Sequence, residues 1–301
     1  MIEHLSSDVP RLSKPVSLEF FPPKTQEQRT RFARALPKLK SLQPEYASVT
    51  FGAGGSTLSY TPETVRSLLA AGFETAPHLS CMGGTRAEIA ALLDQYMAMG
   101  CRRVVALRGD LPSGMVRAGD FRYAAELVAF IRQHSGNHFH IEVGCYPETH
   151  PQAEDALADL RHFEAKVAAG ANGAITQYFF NPDAYFRFVD DARRMGITTP
   201  IVPGIMPISN FTQLRRFSEG CGAEIPRWIA KRMQAYGDDV DSVRKLGADI
   251  VGALCRRLLE NGAPGLHIYT LNRSKATLDV LDQLASNHDL RPGNERQHPP
   301  V

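Results

Sequence analysis

Eight short runs of β-branched and other apolar residues alternate with helical segments along this chain, and polar residues follow most of the runs. Strands separated by helical segments pair in parallel, because a parallel connection needs a crossover of a dozen or more residues. The pattern predicts an α/β fold, a single (β/α)8 TIM barrel, whose functional side chains lie where the strands end. The predicted strands are Val16–Phe21, Tyr46–Phe51, Thr75–Leu79, Arg103–Arg108, His140–Tyr146, Gly173–Phe180, Pro200–Met206 and Leu266–Leu271.

Helix-capping residues support these divisions. Thr61 followed by Pro62 predicts a helix start, and Thr85 with Glu88 has the spacing of a capping box. The interval from Phe211 to Gly262 is too long for one crossover, so we expect two or three helices there, including an extra one before the eighth strand. Glycines that follow helical patterns predict the helix ends, at Gly72, Gly100, Gly170 and Gly196.

Length and charge favour one enzyme-sized domain. The chain has 301 residues and a formal net charge of +2 that is spread along it, which gives no argument for nucleic-acid binding. No apolar run approaches the roughly 18 residues of a membrane span, and no signal-peptide pattern begins the chain, so we expect a cytoplasmic protein without a membrane partner. The predicted divisions are an N-terminal extension (1–15), the barrel (16–288) and a disordered tail (289–301).

The cysteines show no metal-binding or disulfide spacing. They stand at Cys81, Cys101, Cys145, Cys221 and Cys255. An odd, scattered set predicts reduced thiols that are mostly packed as small apolar groups. We therefore predict neither a zinc site nor a disulfide framework.

Glu19 ends the first predicted strand between Leu18 and the aromatic pair Phe20–Phe21. Apolar surroundings disfavour an ionised carboxylate, so we expect a raised pKa and a proton donor. A glutamate that points to solvent or pairs with Lys24 is an equally open interpretation.

Three further strand ends carry candidate binding groups. Arg108 can bind an anion, Gly109 allows a close approach to the backbone, and Asp110 can accept a hydrogen bond from a polar ring. His78 lies at the end of the third strand and His150 follows the fifth, and at such places a packed or solvated histidine is more frequent than a functional one. Together with Glu148 they could hold a metal ion, although their spacing does not require one.

Glutamine and aromatic residues form a second group of candidates. Gln177, at the end of the sixth strand, could read the edge of a heterocycle or simply bond to neighbouring backbone. Gln213 and Phe217 share a helix face and could meet one ligand or belong to the core. A third glycine of a dinucleotide fingerprint would fall at Thr57, so the sequence lacks a Rossmann motif.

Seven motifs in order resemble the methylenetetrahydrofolate reductases of bacteria, over the region from about Val16 to Arg273. The motifs are Leu18–Lys24, Val49–Gly55, Leu107–Asp110, Tyr146–Pro151, Ile175–Phe180, Pro203–Ile208 and Tyr269–Arg273. The resemblance implies an FAD-containing barrel that reduces 5,10-methylenetetrahydrofolate to 5-methyltetrahydrofolate with NADH or NADPH, in ping-pong fashion. It also implies a homo-oligomer, a place in one-carbon metabolism and methionine biosynthesis, and no resident metal.

The resemblance assigns roles to individual residues. It implies that Glu19 is the general acid, that Asp110 contacts the pterin and tunes the flavin, and that Gln177 touches both substrates. Gln213, Phe217 and Arg273 would complete the substrate site. The positions that match FAD-binding residues are Thr50, Phe51, Ala53, His78, Arg108, Gly109, Asp110, Tyr123, Ala124, Tyr146, His150, Ala153, Asp159, His162 and Lys166.

The chain departs from that pattern near the expected FAD tail. Phe51 stands where relatives can have tyrosine, and His162 and Ala165 replace an asparagine and an arginine of one bacterial relative. The loss of an arginine there predicts weaker FAD retention.

Two other classes stay open on the residues alone. A flavin-free barrel lyase or aldolase would need a Schiff-base lysine or a metal at the barrel mouth, and Lys24 and Lys166 are the only lysines near strand ends. A non-catalytic barrel would bind folate without reacting it. The joint presence of Glu19, Asp110 and Gln177 argues against the second class.

Overall fold

A computed structural model describes residues 14–51, 60–81, 84–109, 119–237 and 239–286. Ala53 and Asp110, and most of the predicted extension and tail, lie outside the described residues. In the described ranges nine parallel strands form one sheet in the order β7, β6, β5, β4, β3, β2, β1, β9, β8. The strands are β1 Val16–Phe20, β2 Ala47–Val49, β3 Thr75–Ser80, β4 Arg103–Leu107, β5 His140–Cys145, β6 Gly173–Thr176, β7 Ile201–Val202, β8 Gly204–Ile205 and β9 Leu266–Tyr269.

The segment Ile201–Ile205, which forms both β7 and β8, joins the two ends of the sheet into a barrel. β7 pairs with β6, and β8, which follows after Pro203, pairs with β9, so consecutive residues of the chain reach both ends of the sheet. The prediction of one continuous strand over Pro200–Met206 is therefore wrong in this detail. Pro203 has no N–H to donate to a ladder, whereas its carbonyl accepts from the N–H of His267 at 3.0 Å. The predicted TIM-like barrel is confirmed.

Ten helices are present within the described residues, and three of them separate β8 from β9. This confirms both the long helical interval and the extra helix that begins at Arg227. The helices are α1 Gln26–Lys40, α2 Tyr60–Ala70, α3 Arg86–Ala98, α4 Ala124–Ser135, α5 Ala156–Ala168, α6 Pro182–Arg194, α7 Phe211–Cys221, α8 Arg227–Ala235, α9 Val240–Glu260 and α10 Ser274–Ser286.

Most of the predicted helix ends are confirmed. Thr85 and Glu88 form the reciprocal capping box of α3. Thr61 is not a cap: it lies inside α2, and its hydroxyl donates to the carbonyl oxygen of Thr50 at 3.2 Å, which ties the helix to the end of β2. All four predicted terminal glycines have positive φ, as left-handed helix ends require, at Gly72, Gly100, Gly170 and Gly196.

Alternation along each strand separates an outer core from the barrel lumen. Val104 and Ala106 of β4 belong to the large apolar cluster between strands and helices, whereas Val105 between them faces the lumen. There it packs with Tyr46, Ala76 and Ile175. Above and below this small apolar layer the lumen holds charged and polar side chains.

The remaining sequence-based expectations on cysteines are consistent with the structure. All five thiols are free, and Cys81, Cys101, Cys145 and Cys255 are buried. Burial raises the pKa of Cys81 to about 11, so this thiol stays protonated and packs as an apolar group. Among the helices described here, none has both the length and the apolar character needed to cross a membrane.

Candidate active site

Glu19 lies in the lumen at the carboxyl end of β1. Its neighbours Leu18 and Phe20 point outward into the helix-facing core, so Glu19 points inward by strand alternation. Its Oε2 lies 3.3 Å from Nε2 of His78 on β3 and 3.4 Å from Nε2 of His267 on β9. The side chain is 17% exposed, which leaves it accessible from the barrel mouth.

The pKa of Glu19 contradicts the sequence-based expectation. Burial alone would raise the pKa of the Glu19 carboxyl group. Charge attraction and hydrogen bonds from His78 and His267 outweigh burial and lower the pKa to about 2. The prediction of a raised pKa is wrong because the apolar sequence neighbours face away from the carboxyl group. The two imidazoles that face it come from strands distant in sequence.

His267 and Ser17 are site residues that the sequence analysis missed. His267 is fully buried, and its Nδ1 lies 2.7 Å from the hydroxyl oxygen of Ser17, its register partner on β1. Serine, imidazole and Glu19 thus form a connected chain across the β1/β9 pair. The available signal was the two-residue spacing of Ser17 and Glu19, which puts both on the lumen face.

Tyr269 and Thr176 close the lumen beside this chain. The Tyr269 hydroxyl donates to the carbonyl oxygen of Thr176 at 2.7 Å. Burial, followed by the nearby Glu19 carboxylate, raises the pKa of Tyr269 well above its ordinary value. The phenol therefore stays neutral and fixes the β6 end of the mouth against β9.

Gln177 lies at the mouth after β6, and its own Oε1 accepts from the N–H of Tyr178 at 3.0 Å. Of the two interpretations of Gln177, the one in which its amide bonds to neighbouring backbone therefore holds for this oxygen. Gln177 also lines a small cleft together with Tyr146, Glu148 and Thr149. Thr149 has φ 71°, a left-handed conformation that is costly for a β-branched residue and that recurs at functional sites.

Arg108 and His78 supply buried donors at neighbouring strand ends. The Nε of Arg108 is buried and has no hydrogen-bond partner among the residues described, whereas the buried Nε2 of His78 faces the Glu19 carboxylate at 3.3 Å. A buried donor such as the Arg108 Nε indicates a missing partner, for example an anionic ligand. Gly109, with φ 79°, follows Arg108 and leaves its backbone open to close approach.

A network links Arg108 to the predicted FAD-binding residues after β5. Its Nη1 donates to Gln152 at 2.8 Å, and the Gln152 N–H in turn donates to Nδ1 of His150 at 3.0 Å. The His150 N–H donates to the buried Asp159 carboxylate at 2.8 Å, and the Tyr146 ring meets His150 edge-on at 4.5 Å. Ala153 completes this turn by donating its N–H to the carbonyl of His150.

Lys166 on α5 and the ring pair of Tyr123 and His162 are further candidates for FAD binding. Lys166 donates to the carbonyl of Gly144 at 2.5 Å, and burial lowers its pKa. The half-exposed Tyr123, which precedes α4, stacks on His162 at 5.3 Å with an interplanar angle of 20°. The replacement at His162 therefore creates a ring pair, beside Ala124 at the first turn of α4.

The remaining predicted residues lie around the mouth. Thr50 continues from β2 by donating its N–H to Phe20, and Phe51 beside it is half-buried. Gln213 lies in the first turn of α7, and Phe217, one turn later, is 39% exposed rather than core. Arg273 directly precedes α10, its N–H donating to the carbonyl of Thr270.

The metal alternative receives no support. Glu148 accepts from the Glu224 N–H at 2.8 Å, and burial raises the pKa of its carboxyl group. In the portion of the chain that is described, no three histidine, cysteine or acidic side chains come together as metal ligands.

Comparison with known proteins agrees with this geometry. The protein family described as methylenetetrahydrofolate reductase matches residues 6–285. The chain is 38% identical over 279 residues to the 5,10-methylenetetrahydrofolate reductase of Salmonella typhimurium, with 92% of each chain covered. It is 37% identical over 276 residues to a probable methylenetetrahydrofolate reductase (NADPH) of Caenorhabditis elegans, covering 89% of this chain and 42% of the relative.

A solved structure also shares the fold. An uncharacterized protein from Clostridium thermocellum, described as binding two copies of 5-methyl-5,6,7,8-tetrahydrofolic acid, superposes with a TM-score of 0.66 at 15% identity and covers 93% of this chain and 97% of its own. At that identity the likeness concerns the barrel alone. The sequence relatives, by contrast, are similar enough along the whole barrel to establish that this chain belongs to the methylenetetrahydrofolate reductase family and has the activity of that oxidoreductase.

Proposed function

We propose that the chain reduces 5,10-methylenetetrahydrofolate to 5-methyltetrahydrofolate with FAD as its cofactor and NADH or NADPH as reductant. The observation that carries the proposal is Glu19, held at the barrel mouth between His78 and His267. This function differs from both alternatives that the sequence left open, a flavin-free lyase or aldolase and a non-catalytic folate-binding barrel.

The described residues fit FAD at the strand ends of β3 to β5. A dinucleotide carries two negative phosphates, and the unpartnered Nε of Arg108 offers a buried cationic donor for such a group. We assign the remaining contacts to His78, Gly109, Tyr146, His150 and Asp159 at the mouth, and to the stacked Tyr123–His162 pair. Bound there, FAD would supply hydride transfer between the nicotinamide and the folate, which would bind in turn.

Glu19 would supply the proton that opens the methylene bridge. The proton goes to the bridge nitrogen that leaves, its bond to the methylene carbon breaks, and the carbon becomes an electrophilic iminium ready for hydride. A carboxyl group whose pKa is about 2 is ionised in the free protein. A folate that covers the mouth excludes water from Glu19, and further burial raises the pKa of the carboxyl group, so Glu19 can take up the proton that it then delivers to the bridge nitrogen.

Gln177, Gln213, Phe217 and Arg273 would bind the substrates. Gln177 presents an amide to the heterocycle, and the exposed ring of Phe217 can stack on it. Arg273 offers donors to the folate from the start of α10. The pterin contact of Asp110 stays a prediction.

The first test is the visible absorbance spectrum of the purified protein during anaerobic addition of NADH or NADPH and then methylenetetrahydrofolate. We expect a flavin spectrum that the nicotinamide bleaches and the folate restores. A protein that cannot be loaded with added FAD, or that the nicotinamide does not bleach, would overturn the proposed cofactor.

The proton role needs a separate measurement. The rate of the folate step should depend on a group that titrates well above the pKa of about 2 found for free Glu19. The Glu19→Gln variant should lose this dependence together with most of the rate. A Glu19→Gln variant that reduces folate at an unchanged rate would remove Glu19 from the acid role.

A further inference from the structure

Regular pairing between β1 and β9 stops at the active-site glutamate. The last register pair is Glu19 with Tyr269, after which the chain leaves β9 in an unusual turn. Leu271 and Asn272 both have left-handed backbones, with φ of 49° and 54°. A left-handed backbone is strained for leucine and less so for asparagine, so contacts in the surrounding structure must hold this turn in place.

The Thr270 N–H still donates to the Glu19 carbonyl at 3.2 Å, and beyond that backbone bond the side chains of this turn continue the pairing. The Phe21 N–H donates to Oδ1 of Asn272 at 3.0 Å, and Nδ2 of Asn272 donates to the Phe21 carbonyl at 2.7 Å. The amide group thus pairs with Phe21 on both sides, as a backbone peptide would. The hydroxyl of Thr270 donates to the carbonyl oxygen of Glu19 at 2.6 Å and accepts from the Asn272 N–H at 3.1 Å.

We propose that Asn272, supported by Thr270, is a positioning residue that fixes the main chain at Glu19 and Phe21 and thereby aims the Glu19 carboxyl group into the barrel mouth. Asn272 and Thr270 are each 3% exposed, so water does not compete for these hydrogen bonds. The proposal rests on the proton role proposed above. Because Arg273 is the next residue, the same turn sets the proton donor and a substrate-binding side chain in a fixed relation.

The strained turn makes one substitution especially informative. Glycine adopts a left-handed backbone without strain, so Asn272→Gly removes both amide hydrogen bonds while it favours the turn itself. The matched control is Asn172→Gly at the opposite end of the barrel. There Asn172 Oδ1 accepts from the Ile141 N–H at 2.8 Å, so the control also removes an asparagine that bonds to a strand.

We expect Asn272→Gly to slow the methylenetetrahydrofolate step by about 10- to 100-fold, since small misplacements of a reacting group have effects of this size. Flavin reduction by the nicotinamide should stay within about twofold, as should both steps in Asn172→Gly. In a Glu19→Gln background, Asn272→Gly should have almost no further effect on the folate step, because it acts through Glu19. Equal loss of both steps, or an undiminished effect in that background, would overturn the proposal.

Two measurements need neither FAD nor folate. Amide hydrogen exchange of Phe21 should accelerate in Asn272→Gly and not in the control. Carbon NMR of the Glu19 carboxyl group should show its pKa rising from about 2, since His78, His267 and Tyr269 are the titratable groups that face it and their geometry relaxes. An unchanged Glu19 titration would contradict positioning even if the chain reduced no folate.

A second variant protects the test against misfolding. Thr270→Val has nearly the same shape, but it removes the hydroxyl that donates to the Glu19 carbonyl and accepts from the Asn272 N–H. We expect it to fold and to slow the folate step by less than Asn272→Gly does. A full wild-type folate rate in Thr270→Val would show that Thr270 has no part in positioning Glu19.

Discussion

Two glutamates face the barrel lumen from opposite ends, and their surroundings differ. Glu19 at the mouth lies between two imidazoles and is 17% exposed. Glu142, near the amino-terminal ends of the strands, is 6% exposed and lies 3.3 Å from Arg103 Nη1 and 3.0 Å from His140 Nε2. The first is placed where a substrate can reach it, and the second is sealed in.

Arg103 dominates the lower end of the lumen. Its guanidinium contacts Glu45 at 2.6 Å and Glu74 at 3.1 Å as well as Glu142, and it lies over the ring of Tyr46 at 4.7 Å. The Oε2 of Glu142 has no hydrogen-bond partner among the described residues. The comparison teaches that the same residue type in one lumen is open to a substrate where two imidazoles hold it at the mouth, and is part of a buried ion-pair network where the permanent cation of Arg103 holds it.

The largest difference should appear in catalysis. Glu19→Gln keeps the shape of the side chain but removes its proton, so the folate step should slow by about 10²- to 10⁴-fold, the range of general acid–base catalysis. The matched change Glu142→Gln at the closed end should leave that step within a few-fold. Stopped-flow measurement of the two half-reactions separates these cases, and similar losses in both variants would contradict the division of roles.

The second effect concerns stability at the closed end. Arg103→Met keeps apolar length but leaves Glu142 buried without its cation, which should lower the free energy of unfolding by about 3–5 kcal/mol. Adding Glu142→Leu should recover part of that loss, because the unpaired charge is then gone. Urea denaturation of the single and double variants measures the coupling, and additive losses would show that the pair is not coupled.

Acid should weaken the mouth through Glu19. Its folded pKa of about 2 lies below the ordinary value of 4.5, so its stabilising contribution is complete above about pH 4.5 and is lost as the pH falls through about 2. The shift corresponds to about 3 kcal/mol at roughly 1.4 kcal/mol per pKa unit. Denaturation between about pH 6 and pH 2 should therefore show a flatter acid slope for Glu19→Gln than for the unsubstituted chain. Parallel slopes would show that the histidines do not hold the carboxylate.

The sequence predicted the barrel because its evidence is local. Strand and helix periodicities, and terminal glycines such as Gly72, depend on residues close in the chain, so they survive in the structure. Pro203 was also a local signal, for an interruption of the seventh strand, but the apolar run from Pro200 to Met206 led to the prediction of one continuous strand. The motif resemblance named candidate site residues, and two of them, His78 and Glu19, do meet in the structure.

The electrostatics of the site could not be predicted in this way. Leu18 and Phe20 flank Glu19 in the sequence but face the other side of the sheet, whereas the imidazoles that lower its pKa, those of His78 and His267, come from β3 and β9. The left-handed turn at Asn272 was equally hidden, because no propensity favours two successive non-glycine residues there. Interactions between strands that are distant in sequence can be identified only when the three-dimensional structure is known.

The smallest effect tests how tightly the closed end is packed. An added Cβ at Gly173 would lie 2.2 Å from Oε2 of Glu142, so Gly173→Ala must displace a buried carboxylate and should cost about 1–3 kcal/mol of unfolding free energy. Gly220→Ala in α7 is the control, because nothing lies within 4 Å of its added Cβ, and there alanine should be neutral or slightly stabilising. The cost at Gly173 should shrink when Glu142 is replaced by alanine, since the clashing oxygen is then absent. If the cost persists in that background, the backbone of β6 requires glycine at position 173 and the Glu142 side chain is not the cause.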